Sequence, residues 1–481
     1  MSTTSAITDP PRKVALHTKI LIALVAGALL GIALNQFWTL DTWKSLGVHD
    51  AKAYLAGTAA DVNAEASTFA GVARFANQTA DLVGKLFLRG LRFIAVPIIL
   101  FSIIVAVAGL GDPRKLGRLG AKTLGIFAVT VIAALVIALV LVNVIQPGTG
   151  IPSETRQGLL DLYTSSNAKT LANTSVAQSL SFKEQVLGML TMNPFESLAK
   201  GEMLQVVIAA ILIGLGLTLI PKAKAAPVIA ICDGLSEAIL ELVRLLLRLA
   251  PVAVFCLITP VITSLGLHAL SALVKYCVAI LVGMAMILFI EYPIVLMLFT
   301  NRRNAAGVSQ RVGFSRFFKA LAPAQLLAFS SSSSAATLPV TMECCNDRLK
   351  VPEDITSFVC PLGTTINMDG TALFQTISVI FLAQLYGVDL SFAQQLTVAG
   401  LSVLVAIGAP GLPSASVVMM VVPLQAVGVP IEGIALILAV DRILDMARTV
   451  VNVSGDAVAA AVVAASEGRM NEAPLANSKD A

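Results

Sequence analysis

Apolar residues along this chain fall into blocks of about 20 residues, the length an α-helix needs to cross a bilayer. Uninterrupted blocks occupy 20–37, 93–110, 124–145, 204–220, 251–267 and 274–299. Polar residues gather between them, over 1–19, 38–85 and 147–202. The pattern predicts one membrane-spanning helix per block. The first block is too long for the apolar core of a signal peptide, so it reads as the first span.

The last third has a different grain. Over 321–466 the apolar stretches are broken again and again. "LAFSSSSSAATLPVT" (327–341) interrupts one, "PLGTTINMDGTALF" (361–374) the next and "IGAPGLPSASVVMM" (407–420) the third. "DRILDMARTVVNVSGD" (441–456) decorates the fourth. Irregular backbone at membrane depth is tolerated only inside protein or around a wet cavity, so these breaks are expected to converge. Their order repeats. A hairpin-like segment (318–355) precedes a broken span (357–387), and a second (392–430) precedes a polar-faced span (431–466). Paired interruptions of this kind point to a transporter site between inverted repeats. Four successive breaks, each carrying polar residues, are more than kinks in a plain bundle.

Placed on a helix at about 100° per residue, with Asp441 at zero, Asp445 falls at about 40°, Arg448 at about 340° and Thr449 at about 80°. By the same rule, Asn452 falls at about 20° and Asp456 at about 60°. All six share one stripe, while Ile443, Ala447, Val450, Ala457 and Ala461 lie opposite. A charge at the bilayer centre costs about 2.5–3.5 kcal/mol even on the lenient insertion scale. Arg448 neutralising Asp445 one turn away is a purely structural reading; it leaves Asp441 and Asp456 unexplained.

Composition agrees with the blocks. The 481 residues are 57% hydrophobic and 13% charged, with a mean hydropathy of +0.85. No soluble core of this chain length hides that much apolar surface. The net charge of +4 is a topology signal. Arg12 and Lys13 in the N-terminal tail, the loop with Arg114, Lys115, Arg118 and Lys122, Lys222 with Lys224, and the run from Arg302 to Lys319 are all basic. The positive-inside rule puts them, and the N-terminus, in the cytoplasm. No loop joins a dense basic run to stacking aromatics, so no nucleic-acid partner is expected. The six cysteines, 232, 256, 277, 344, 345 and 360, sit in or beside spans, which argues against a disulfide framework. Adjacent Cys344 and Cys345 read as small apolar filler before they read as metal ligands.

Adding Asp369, the broken third holds four carboxylates and one guanidinium, a formal charge of −3. An anionic substrate is repelled unless cations enter with it. Sodium ions or protons at the carboxylates cancel the charge and free Arg448 for a second carboxylate, for which its planar fork is suited. Asp445 suits an ammonium group. Together these spell symport of an acidic amino acid. Ser333 and Ser334 precede Thr337-Leu338-Pro339, and proline is accepted in a helix's first turn. A half-helix starting here offers free N–H groups and hydroxyls to an anion. Pro413 with Ser414 and Ser416 repeats the device, and Gly408 and Gly411 let that tip flex.

In "SSSSAATLPVT", "INMDGTA", "GLPSASVVM" and "DMARTVVNVSGD" the chain resembles the dicarboxylate/amino acid:cation symporters, which include glutamate transporters and prokaryotic aspartate transporters; the match covers nearly the whole chain. The resemblance implies an all-α polytopic membrane protein with eight transmembrane helices and two re-entrant helical hairpins (318–355 and 392–430) in inverted repeats. It implies a homotrimer of elevator-type transporters in the plasma (bacterial inner) membrane. The scaffold would take 18–111 and 147–262, the transport domain 119–146 and 268–466, with cytoplasmic tails at 1–17 and 467–481. It implies a carrier and no enzyme. No cofactor is implied beyond the coupling ion, Na⁺ or H⁺.

Carried over by motif, Arg448 would bind the distal carboxylate and Asp445 the amino group. Asn452 and the tip Ser333–Ser334 would hold the α-carboxylate, with Thr371 and Thr449 nearby and Leu412 and Pro413 on the second tip. One sodium site would use Asp456 with Gly363, Asn367 and Asn452. A second would use Asp369, Asn367 and Met368, with Thr130. A third would use Thr365, Ala406, Ile407 and Ala409. Asp441 would stand behind the substrate residues.

The chain departs from the family pattern in places. An arginine that members often carry in the serine tract or just after the substrate-binding Asp is replaced by Ser332 and Met446, which bears on potassium counter-transport. The third-span pattern Tyr-x-x-Thr-Ser/Thr becomes Phe127, Thr130 and Val131, which leaves one hydroxyl and opens proton coupling or fewer sodium ions as an alternative; "INMDG" and "NVSGD" retain the amide-plus-carboxylate set, which still favours sodium. The outer loop 38–85 is long for a prokaryotic member. A neutral amino-acid carrier would lack Arg448 and a C4-dicarboxylate carrier would lack Asp445. An intramembrane serine hydrolase needs a base, and His17, His49 and His268 are not placed beside the serine tract. An anion channel is the other alternative.

Overall fold

The computed structural model describes residues 16–38, 40–49, 51–56, 66–109, 117–149, 192–200, 202–265, 267–303, 307, 309–407 and 415–470. Among them every regular element is helical, and one isolated bridge pairs Arg303 with Ser309. The main helices are α1 (Leu16–Phe37), α2 (Thr68–Gly109), α3 (Gly117–Ile145), α4 (Met203–Leu219), α5 (Lys222–Arg248), α6 (Ala250–Leu265), α7 (Leu267–Met286), α8 (Tyr292–Thr300), α9 (Phe314–Ser331), α10 (Ser334–Glu343), α11 (Glu353–Ile366), α12 (Asp369–Tyr386), α13 (Phe392–Ile407) and α14 (Ile434–Ser466).

Each apolar block forms helix, as expected. Block 93–110 is the second half of the 42-residue α2. Its first half runs through the end of the outer segment 38–85, so that segment is partly helical rather than loop. Among the described residues four stretches are long and apolar enough to cross a membrane: Gly117–Ile145, Ser271–Thr300, Glu353–Tyr386 and Val440–Ser466. Lys222–Arg248 with Ala250–Pro260, bent by 56°, makes a fifth when taken as one span.

The faces follow from the sequence period. In α3, Phe127, Thr130, Ala134, Ala138 and Val142 are buried, while Val129, Ile132, Val136, Val140 and Val144 are exposed. That spacing, three to four residues, is one apolar stripe for protein and one for lipid. α12 differs, with nearly every side chain buried. It packs on α3 and α13, while α9 and α11 pack on α14. α1 lies along α6, and α2 against α4 and α5.

The breaks in the last third are local backbone events. Ser332 ends α9 in the left-handed region, with φ 52° and ψ 35°. Ser333 is extended and caps α10, its side chain accepting from the Ala336 N–H. Pro339 therefore falls in the sixth position of α10, not in the first turn as the sequence suggests. Asn367 (φ −90°, ψ 77°) and Met368 (φ −115°, ψ 57°) separate α11 from α12. α7 passes into α8 through a π-turn, Ile287–Glu291.

Candidate functional site

The stripe on α14 is real. Asp441, Asp445, Arg448, Thr449, Asn452 and Asp456 are all buried, none more than 5% exposed. The opposite face is split: Ile443 is exposed, while Ala457 and Ala461 are buried, because the C-terminal half of α14 is enclosed on both sides.

Arg448 is the hub. Its Nη2 donates to Asp445 Oδ1 and lies 3.5 Å from Asp441 Oδ1. Its Cζ stands 4.3 Å from the centre of the Phe374 ring, a cation–π contact from α12. The other guanidinium nitrogen, Nη1, is buried without a hydrogen-bond partner. Half of the fork is thus held by protein, and half is unmatched in a dry place, where an unmet donor costs about 1–3 kcal/mol. Arg442 Nη1 also lies 3.8 Å from Asp445 Oδ2. The charge count from sequence omitted it; four carboxylates against two guanidiniums leave −2.

α12 and α14 meet through polar groups. Asn452 Nδ2 donates to Thr371 Oγ1 at 3.1 Å, and its Oδ1 accepts from the Gly370 N–H at 2.9 Å. Thr449 instead bonds back to the Asp445 carbonyl. Ser333 and Ser334 are buried at the start of α10, which packs on α14. The second-tip residues Leu412 and Pro413, with Gly408, Ala409, Gly411 and Ser414, lie outside the described residues.

One turn further along α14 the donor set changes. Asp456 Oδ1 accepts from Asn367 Nδ2 at 3.2 Å, and Asn367 Oδ1 accepts from Thr130 Oγ1 at 3.3 Å. Gly363 faces the Asp456 carboxylate so closely that any Cβ would overlap it. Asp369 Oδ2 accepts from Tyr292 Oη at 2.9 Å, and its Oδ1 has no donor. Met368, the residue before Asp369, is also buried. A Cβ on Gly455 would stand 2.5 Å from Tyr292 Oη, so glycine lets this cluster close up. Carboxylate, amide and hydroxyl oxygens beside non-helical backbone are a hard-oxygen set that fits an alkali cation. Among the described residues no group of three or more His, Cys, Asp or Glu side chains gathers to hold a metal ion. Thr365 and Ile407 line a common cavity of about 1050 Å³ with Ala335, and Ala406 is buried.

Sequence reasoning missed Glu291 and Tyr292. Glu291 is the lone acidic residue in the block 274–299, and an ionisable residue at membrane depth is a signal in itself. Phe374 carried no signal, because an aromatic in an apolar run reads as core.

The sodium:dicarboxylate symporter family matches residues 16–466. A proton/sodium-glutamate symport protein of Geobacillus stearothermophilus is 35% identical over 392 residues, 81% of this chain and 88% of that protein. A proton/glutamate-aspartate symporter of Escherichia coli (strain K12) is 36% identical over 383 residues, 79% of this chain and 84% of that one. A C4-dicarboxylate transport protein of Bacillus subtilis (strain 168) is 30% identical over 395 residues, 81% and 88% of the two chains. The chain belongs to the sodium:dicarboxylate symporter family, a family of membrane transporters.

Proposed function

We propose that the protein is a secondary active symporter that takes up an acidic amino acid, aspartate or glutamate, with cations across the plasma membrane. The observation that carries this is the buried Arg448, paired on one side with Asp445 and Asp441 and unmatched at Nη1. Nη1 is the group for a substrate's distal carboxylate and Asp445 the group for its ammonium. The α-carboxylate falls to Asn452, Thr371 and the N-terminus of α10, whose N–H groups favour an anion. Asp445 argues against a C4-dicarboxylate carrier, which has no ammonium to bind. Relatives of both kinds exist, named for glutamate and for C4-dicarboxylates.

Asp369 and Asp456 lie behind the substrate residues, and their oxygens are the ones that fit Na⁺. When bound, the cation would cancel carboxylate charge and let an anion enter; Asn367 joins the two sites through its amide. Relatives are named both for proton/sodium-glutamate symport and for proton/glutamate-aspartate symport, and Phe127 and Val131 offer no hydroxyl to Asp369. Sodium is the favoured driver, because both motifs retain an amide beside a carboxylate, which a proton does not need. The eight-span arrangement, the two re-entrant hairpins, the scaffold and transport domains, the elevator motion, the homotrimer and the cytoplasmic termini belong to the same proposal. The family membership and the break-rich last third support them.

The test is uptake of radiolabelled aspartate and glutamate into proteoliposomes with Na⁺, H⁺ and K⁺ gradients imposed one at a time. Uptake driven by an inward Na⁺ gradient is the expected result. Uptake indifferent to every cation gradient sinks the symport reading.

A further inference from the structure

Asp445 has two carboxylate oxygens, and a different cation stands at each. Oδ1 accepts from Arg448 Nη2, while Oδ2 faces Arg442 Nη1 at 3.8 Å. The two guanidiniums differ in kind. Arg448 is buried, lies over the Phe374 ring and stands 3.5 Å from Asp441 as well. The Arg442 side chain is 25% exposed and approaches from one turn before Asp445. Its distance exceeds the about 2.7–2.9 Å of a charge-assisted hydrogen bond. Arg448 is thus built into the site, and Arg442 is a loose counter-ion on a long stem whose head reaches water.

Asp441 and Asp445 against Arg448 and Arg442 make this half of the stripe neutral. Buried charges persist when they are paired in this way. A substrate ammonium changes the balance. It needs contact distance to Asp445, and Arg448 already holds Oδ1. The oxygen left for it is Oδ2, the one Arg442 faces. Two cations crowded on one oxygen repel each other. The ammonium is fixed to a substrate gripped by its carboxylates, whereas the Arg442 head is free to swing outward to water.

The geometry points to Arg442 as a displaceable counter-ion of Asp445, which pairs with Oδ2 when the site is empty or holds a dicarboxylate and yields Oδ2 to the ammonium of an amino acid. This rests on the reading of Asp445 as the ammonium's partner. Arg442 then sets specificity, with opposite effects on two classes of ligand. It competes with an ammonium, so it weakens amino-acid binding. It cancels a carboxylate that repels a dicarboxylate, so it strengthens dicarboxylate binding. An ion pair that serves the fold alone moves both ligands in the same direction.

Competition binding on the purified full-length protein, with aspartate and succinate titrated at fixed pH and NaCl, reads this directly. Arg442→Gln is expected to bind aspartate about fivefold more tightly and succinate about fivefold more weakly, the scale of one partly exposed ion pair. Arg442→Lys keeps the charge and should return both affinities towards wild type. In an Asp445→Asn background, adding Arg442→Gln should change neither ligand, because the two substitutions act on one pair. Melting curves check each fold; should Arg442→Gln not fold, Arg442→Met, which keeps the stem, carries the same comparison. Should succinate not compete, the aspartate arm and the double variant decide. Affinities that rise together or fall together overturn the proposal, and so does an Arg442→Gln effect that survives Asp445→Asn. The underlying reading is judged separately by Asp445→Asn alone: an equal loss of aspartate and succinate removes Asp445 from ammonium recognition. Arg442 fails by itself when Asp445→Asn discriminates the ligands and Arg442→Gln does not.

Discussion

Arg448 and Asp445 stand one turn apart on α14, both 3% exposed, and are joined by a hydrogen bond from Nη2 to Oδ1. The pair is neutral as a unit, which makes burial affordable, and Asp441 adds a second carboxylate 3.5 Å from the same nitrogen. Removing one member of such a pair leaves the other uncompensated, a loss of about 3–5 kcal/mol. On the proposed reading the same residues also present the groups a zwitterionic acid needs.

On the proposed reading, Arg448→Cys removes the group for the distal carboxylate. Aspartate and glutamate uptake should fall at least a hundredfold, while a neutral amino acid such as serine becomes a substrate. Proteoliposome uptake of the three, on protein that elutes and melts as a folded species, measures this. Unaltered aspartate affinity would place the guanidinium outside the substrate site and leave it a purely structural partner of Asp445.

Asp445→Asn separates ammonium recognition from carboxylate recognition. Affinity for aspartate should drop far more than affinity for succinate, which shares the carboxylates and lacks the ammonium. Competition binding on the purified variant gives both numbers. An equal loss for the two ligands would mean that Asp445 matters only as the counter-ion of Arg448.

The stripe on α14 was legible because six polar positions at helical spacing stand out in an apolar run, and all of them are buried on one face. The breaks at Ser332–Ser333 and Asn367–Met368 were legible from polar tracts inside spans. Glycine and proline cues mislead on detail: Pro339 lies a turn deeper than its rule suggests. Arg442 escaped the charge count because it sits off the stripe and is partly exposed. Tyr292 and Phe374 escaped because their roles depend on partners 77 and 74 residues distant in sequence, Asp369 and Arg448. The helical half of segment 38–85 was hidden by polar residues interleaved with exposed Phe69, Val72 and Phe75.

Glu467, just beyond α14, accepts from Arg118 and Lys122 at the start of α3. Arg118 first, then Lys122, pull its carboxyl from an ordinary 4.5 down to about 2. A depressed acid stabilises the fold fully above its unfolded value, and that contribution fades as pH falls from about 4.5 towards 2. Glu467→Gln should therefore lower stability at pH 7 by about 1 kcal/mol or less, since Arg118 is largely exposed. The gap between wild-type and variant melting temperatures should close through that acidic window. A gap that is constant from pH 7 to pH 3 would show that the clamp contributes by packing and not by charge.

Gly363 and Asp456 decide the driving ion most directly. The carboxylate sits where a side chain on residue 363 would have to be, so Gly363→Ala forces Asp456 aside, away from Asn367 Nδ2. Asp456→Ala removes the charge altogether. If sodium binds here, substrate binding to the wild type rises steeply with Na⁺ at fixed pH and ionic strength. In both variants the curve should shift to at least tenfold higher Na⁺ and become shallower. A proton in the same place tolerates displacement better, because it needs one oxygen and no surrounding set. Gly363→Ala would then keep its substrate affinity while Asp456→Ala lost it. Sodium titrations of aspartate binding in choline-balanced buffer, repeated at two pH values, separate these outcomes. Tight aspartate binding by the wild type without sodium, with uptake driven by a pH gradient alone, would make the proton the coupling ion.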